Sequence, residues 1–306
     1  MRPRRIALLT LAVAALAAGC GGDDDGSQTA DRFDAERAFA DLEAQVEIGP
    51  RPSGSPGSRE EVRFIVDRLR DAGVGDVRVQ RPYANVVGVI PGTENDAILL
   101  GAHHDTKNGI SPDFVGANDG ASGVAVVLEL ARALPERVEG PSIHLALFDA
   151  GEARGDRAFS EDGTRGSRQY VRYAREAERG GEPVQGSPPL SDIDTMILFD
   201  LVGDCDLQIP LEAGSDQRLY RYISIAAERV DGDPAPFVGT TDPILDDHIP
   251  FVEAGIPAVD LIDFTYGPGG TPGAYWHTPE DTIDKVCPES LDAVGEAVLE
   301  ILPAGS

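Results

Sequence analysis

Five positions in this chain carry residue types that hold divalent metal: His103 in GAHHDTK, Asp119 in GANDGASG, Glu152 in LFDAGEAR, Asp200 in ILFDLVG and His277 in YWHTPEDT. Histidine nitrogen mixed with carboxylate oxygen suits zinc, one ion or two, with a coordination position left open for chemistry. Taken singly, each has an ordinary reading. A lone His103 or His277 would be structural, Asp119 a helix cap, Glu152 a turn acid and Asp200 a strand-end acid bonding loop amides. As an ordered set they read as ligands. Asp105, two residues after His103, is placed to accept a ligating ring N–H and so fix its tautomer. His104 alternates to the other side of the same strand, His144 lies inside the apolar run SIHLALF, and His248 sits in DDHIPF; these three read as structural. Asp246, in the same DDHIPF block, is a further acid near the set. Asp260 follows an apolar strand start and reads as solvent-facing. Trp276, the single tryptophan, would be core by default, but its place beside His277 makes it a pocket wall.

Such a set needs elements that end together. Helical spacing of apolar residues runs from Phe33 to Val46 and again through REEVRFIVDRLRDAG, which closes on Gly73. Extended segments follow in VRVQRPYANVVGVIPG, then a continuous apolar run in DAILLGAHHD, a length and composition expected of a strand covered on both faces. A helix opens after Asn118-Asp119-Gly120. SIHLALFDA reads as a second buried strand, GSRQYVRYAREAE as a helix and DTMILFDLVG as a third strand. Residues 215–230 read as helical, IPFVEAGIPAVDLIDF as a short helix and a fourth strand, and SLDAVGEAVLEIL as a closing helix. This alternation predicts an α/β three-layer sandwich, a mostly parallel central sheet covered by helices on both faces. Ligands bind such sheets at the carboxyl ends of the strands. His103, Glu152 and Asp200 stand at or just past three of those ends.

In order along residues 33–302, the blocks GAHHDTK, GANDGASGVAVVLELAR, FDAGEA with GSRQYV, ILFDLVG, DDHIPF and YWHTPEDT resemble metallopeptidase family twenty-eight, which contains zinc aminopeptidases and glutaminyl-peptide cyclotransferases. The resemblance implies two alternative sites. The aminopeptidase pattern binds two zincs through His103, a bridging Asp119, Glu152, Asp200 and His277. The cyclotransferase pattern binds one through Asp119, Glu152 and His277, with Asp200 and Asp246 as hydrogen-bonding catalytic carboxylates. The Asp-Asp-His of DDHIPF, Trp276 before His277 and Lys107 after HHDT are similar to the cyclotransferase branch, with Trp276 and Lys107 on the substrate side. The implied substrate is a peptide or protein amino terminus. Its amino-terminal glutamine would close to pyroglutamate with release of ammonia; in the aminopeptidase alternative its first peptide bond would be hydrolysed.

One position departs from the family. The resemblance implies Glu-Glu after the second buried strand, the first glutamate a general acid/base; this chain has Gly151-Glu152. The missing carboxylate is expected from Asp149, Asp200 or Asp246, or from Asp156, Glu161 or Asp162 in RGDRAFSEDGTRG. Alternatively the protein binds peptide amino termini without turning them over, or is an exported solute-binding domain without metal.

The chain has 306 residues and a formal charge of −27. Its first residues, MRPRRIALLTLAVAALAAGC, place three arginines before an apolar run too short to span a membrane, the pattern of a secretory signal over residues 1–19. Small residues before Cys20 resemble a bacterial lipoprotein signal, so Cys20 is expected to carry the lipid that anchors an exported protein to the cell envelope. Residues 20–32, with GGDDDGSQTAD, read as a flexible tether, and residues 33–306 as one domain. Removing residues 1–19 takes the charge to −30, which argues against nucleic acid as a partner. Cys205 and Cys287 are then an even pair, free to form a disulfide in an oxidising compartment or to remain two thiols.

Overall fold

The computed structural model describes residues 31–231 and 236–305. The expected signal segment, Cys20 and all of the expected tether but Asp31 and Arg32 lie outside the described residues. Phe33 is buried, and Asp34 caps α1 (Ala35–Ile48) by accepting the Arg37 amide.

The remaining elements follow in order: α2 (Pro56–Asp71), β1 (Gly75–Val79), β2 (Val86–Ile90), β3 (Ala97–His103), α3 (Ala121–Ala133), β4 (Ser142–Phe148), α4 (Phe159–Asp162), α5 (Arg165–Gly180), β5 (Ile193–Asp200), β6 (Leu211–Glu212), α6 (Gln217–Asp231), β7 (Thr240–Thr241), α7 (Ile249–Glu253), β8 (Ala258–Ile262) and α8 (Pro288–Ile301). Six strands form one sheet in the order β1-β2-β4-β3-β5-β8. β4, β3, β5 and β8 run parallel, and β1 and β2 add an antiparallel edge. β6 and β7 form a separate two-stranded ladder that the sequence pattern did not announce.

Every residue of β3 and β8 is buried, so these strands carry no polar alternation to solvent; helices cover both faces. On one face Leu100, Ile143, Ile197 and Val259 pack against α1, α3 and α8. On the other Leu99, Phe148, Leu198 and Ala258 pack against α5 and α7. The expected three-layer α/β architecture is the one observed. Strand alternation assigns His103, Asp200 and Asp260 to the α5 and α7 side, because Ala102, Phe199 and Leu261 point the opposite way into the first core.

Cys205 and Cys287 form a disulfide. It joins the loop after β5 to the start of α8, and therefore joins the segment after Asp200 to the segment after His277.

Candidate metal centre

The parallel strands end in one place, and their ends carry the site. β3 finishes on His103, and His104 donates its backbone N–H to Phe148 O at the end of the neighbouring β4 (2.9 Å). Three non-glycine residues adopt left-handed backbone here: Ala150 (φ 58°), Leu201 (φ 51°) and His277 (φ 54°). Each lies within two residues of Glu152, Asp200 or His277, or is one of them. Such conformations cost of order 1–3 kcal/mol each and persist where surrounding structure fixes the turn.

Asp119 stands just before α3, yet it does not cap the helix. The capping position is Gly120, at φ 99°, and no side chain caps there. The Asp119 carboxylate turns instead to the histidines. Oδ1 lies 3.2 Å from His103 Nε2, and Oδ2 lies 3.2 Å from His277 Nε2. His277 Nε2 is also 2.8 Å from Glu152 Oε1, and His103 Nε2 is 3.3 Å from Asp200 Oδ1. Two triads result, His103/Asp119/Asp200 and Asp119/Glu152/His277, with the donor atoms of each within 4.8 Å of one another and Asp119 common to both. The structure thus brings together all five residues of the expected set.

The donors fit a metal in three respects. Asp119 Oδ2 is buried and accepts no hydrogen bond despite the nearby imidazole, the condition of a carboxylate oxygen shaped for a cation. His103 Nδ1 lies 3.0 Å from the Asp105 backbone carbonyl, a contact that fixes the proton on Nδ1 and leaves the Nε2 lone pair facing the acids. All five donors are nitrogen or carboxylate oxygen, which zinc accepts.

Burial by itself would lower the pKa of both histidines, but the surrounding acids win. The carboxylates of Asp105, Asp119 and Asp200 around it drive His103 well above its ordinary value, and Asp119 with Glu152 lifts His277 to about 9. Burial would raise Asp119, yet the two imidazoles hold it well below the usual carboxylate range. An acid cluster that draws protons onto histidines is one that a divalent cation neutralises better.

Asp105 differs from its expected role. Its backbone carbonyl, not its carboxylate, engages His103; the carboxylate lies 3.7 Å from Nδ1 and accepts the amides of Gly151 (2.8 Å) and Glu152 (3.4 Å). It therefore holds the turn that presents Glu152. Lys107, expected on the substrate side, lies against the Ala153 carbonyl (3.0 Å) and Glu152 Oε2 (3.5 Å). Trp276 stacks on the His277 ring, 3.8 Å between centroids and 19° between planes, with Phe264 edge-on to it. The ring is half-buried, as a pocket wall would be.

Gly151 is tightly enclosed. A Cβ there would stand 2.7 Å from His103 Cβ and 2.8 Å from Asp247 Oδ2, so the space that a glutamate stem would enter is filled by neighbours of the site. Of the acids expected to replace it, Asp162 is bound by Arg154, Arg157 and Arg165, while Asp156 and Glu161 are exposed. Asp149 is buried and accepts the Ala84 amide. Asp149 Oδ1 is also buried without a partner, as is Oδ2 of Asp246. Burial, then the negative charges of Asp260, Asp200 and Asp247, raise Asp246 well above its ordinary value.

His144 is the structural residue it was expected to be, buried in β4. His104 Nε2 lies 3.3 Å from the Ala84 carbonyl. His248 lies between Glu212 (3.4 Å) and Asp260 (3.5 Å), wholly buried. Asp260 is a correction: it is fully buried, not solvent-facing, because the 246–248 segment covers that side of β8. Asp281 was missed altogether. Its carboxylate accepts the amides of Asn118 and Asp119, and only the four-residue offset from His277 in HTPED hinted at it.

The fold and the sequence have known counterparts. Glutaminyl-peptide cyclotransferase of Drosophila melanogaster is 26% identical over 299 residues, covering 84% of this chain and 78% of that protein. Aminopeptidase YwaD of Bacillus subtilis is 29% identical over 210 residues, 66% of this chain and 40% of that protein. Among solved structures, an Acidobacteriales bacterium glutaminyl cyclase superposes with TM-score 0.77 at 30% identity, over 94% of this chain and 97% of that one. A leucine aminopeptidase precursor from Bacteroides thetaiotaomicron gives 0.72 at 27% identity, over 88% and 96%. Residues 85–302 match the model of Peptidase family M28. With ordered motifs, strand-end acids and histidines, and this match in agreement, the chain belongs to peptidase family M28.

Proposed function

We propose that this protein is a zinc-dependent enzyme acting on peptide amino termini, and that it converts amino-terminal glutamine to pyroglutamate. The observation that carries the metal reading is the buried, unpartnered Asp119 Oδ2 facing His277 and Glu152. Two features favour cyclisation: Trp276, half-buried and stacked on His277, and Asp246 with a free buried oxygen. Relatives named as glutaminyl cyclases that align along nearly their whole length point the same way.

Asp119, Glu152 and His277 would hold the metal, which as a Lewis acid polarises the side-chain amide carbonyl of the substrate glutamine. The rest falls to the chain. Trp276 supplies an apolar face that keeps the glutamine stem beside the α-amine. As the amine nitrogen bonds to the amide carbon, it loses a proton, and the departing amide nitrogen must gain one to leave as ammonia. Asp246 carries that proton, with Asp200 hydrogen-bonding beside it; a carboxyl whose pKa burial has raised is matched to both halves of the transfer. With Gly151 in place of the family's glutamate, Asp246 and Asp200 take its part, and Asp149, whose Oδ1 is also buried without a partner, is the remaining buried candidate.

A second reading has its own support. The triad His103/Asp119/Asp200 could hold a second zinc, and a two-zinc centre suits an aminopeptidase that activates water against the first peptide bond. Metal analysis after exhaustive dialysis separates them: one zinc per chain supports the cyclase and two the aminopeptidase. In either case Asp119→Ala abolishes retention. A wild-type protein that retains no zinc contradicts both readings.

A further inference from the structure

We propose that Asp281 is a positioning residue that locks the shared ligand Asp119 to the segments bearing His277 and Asp200, and thereby sets metal affinity. The inference rests on Asp119 being a metal ligand, as proposed above.

Asp281 is almost wholly buried, and both of its oxygens are used. Oδ1 accepts the Asn118 amide (2.8 Å) and the hydroxyl of the fully buried Tyr266 (2.9 Å); Oδ2 accepts the Asp119 amide (3.1 Å). Asp281 follows His277 by four residues in HTPED. One carboxylate therefore ties the backbone of the shared ligand to the turn that carries a second ligand. Asn118 continues the tie: its side-chain Oδ1 accepts the Gly203 amide (2.8 Å), three residues past Asp200. Ser122 adds a parallel strut, donating to the Asn118 carbonyl (2.6 Å) and accepting the Val202 amide (3.1 Å).

Three loops from different parts of the chain are thus held through one buried side-chain path, Asp281 to Asn118 to Gly203, with Ser122 and the Cys205–Cys287 disulfide beside it. The Asp119 carboxylate is free to face the imidazoles because its backbone is gripped from behind, and because no side chain here caps α3. A carboxylate that reaches two triads has little tolerance for backbone movement, so affinity at both depends on this grip.

The experiment measures zinc affinity by chelator competition for wild type, Asp281→Asn, Tyr266→Phe and Asn118→Ala. Thermal unfolding of each metal-free protein and the visible spectrum of each cobalt-substituted form are recorded in parallel. Asparagine offers one acceptor oxygen where aspartate offers two, and its NH2 group faces a backbone N–H. Asp281→Asn is expected to weaken zinc binding by roughly 10- to 100-fold and to alter the cobalt spectrum. Tyr266→Phe keeps both amide bonds and weakens binding less. Asn118→Ala cuts the path at Gly203 and weakens binding as well, which keeps the proposal testable where Asp281→Asn does not fold. Folded variants at Asp281 and Asn118 that bind zinc as wild type does, with an unchanged cobalt spectrum, overturn it. Wild type without zinc affinity is a different result: it removes the metal reading of Asp119 itself.

Discussion

Gly151 decides how the chemistry can be distributed among individual side chains. A glutamate introduced there would drive its Cβ against His103 Cβ and Asp247 Oδ2, and the backbone of β3 leaves His103 nowhere to yield. Gly151→Glu is therefore expected to disturb His103, to lower thermal stability by an overpacking cost of about 1–3 kcal/mol, and to gain no cyclase or aminopeptidase activity. Unfolding curves and paired activity assays check this. A stable, more active Gly151→Glu protein would show that the site has an empty place for the missing base. Asp246→Asn is the complementary change. It keeps the shape and removes the proton carrier, so turnover should fall by about 100-fold or more while zinc content stays at the wild-type value, read by kinetics and metal analysis on the same preparation.

At the scale of elements, the disulfide holds the loop after β5 to the start of α8 across a separation of 82 residues. Replacing both cysteines by serine should lower unfolding stability by about 2–5 kcal/mol, measured by denaturant titration, because so long a loop gains much entropy when released in the unfolded chain. An unchanged midpoint would show that the bond adds nothing to the fold. Most of this architecture was legible in the sequence. The continuous apolar runs in AILLGAH and SIHLALF have the length and composition of covered strands, and FDAERAFADLEAQV has the spacing of an amphipathic helix, so the sheet and its layers followed. Of the five candidate metal positions, His103, Glu152 and Asp200 were legible at or just past strand ends and Asp119 at a helix start, while His277 was marked by its YWHTPEDT block. The supporting acids were not legible. Asp247 and Asp281 lie where no periodicity speaks, strand alternation gives Asp260 a face but not what covers it, and whether a carboxylate meets water or a backbone amide depends on which distant loop arrives beside it. Asp105 shows the limit most sharply: proximity to His103 was right, but the carbonyl and the carboxylate exchanged tasks.

For the molecule as a whole, one buried histidine couples stability to pH. Burial lowers His144 to about 4, against 6.5 for an unrestrained imidazole, with Asp76 opposing only weakly. Between those values the unfolded chain binds a proton that the folded chain refuses, so stability is full above about 6.5 and is lost as pH falls toward 4. The loss is about 3 kcal/mol at most, and His144→Leu should remove it; chemical unfolding at several pH values reads the slope directly. An identical pH dependence in that variant would assign the effect elsewhere. Export and lipid attachment at Cys20 are proposals of the same scale, checked by mass analysis of the mature amino terminus. The central claim concerns what the strand-end site does to a peptide. Zinc-loaded protein incubated with a peptide bearing amino-terminal glutamine should release ammonia in step with formation of the pyroglutamyl product, should leave aminoacyl anilides largely intact, and should lose the reaction on chelation or on Glu152→Ala. Ammonia release unaffected by chelation, or rapid anilide hydrolysis with no pyroglutamate formed, would contradict it.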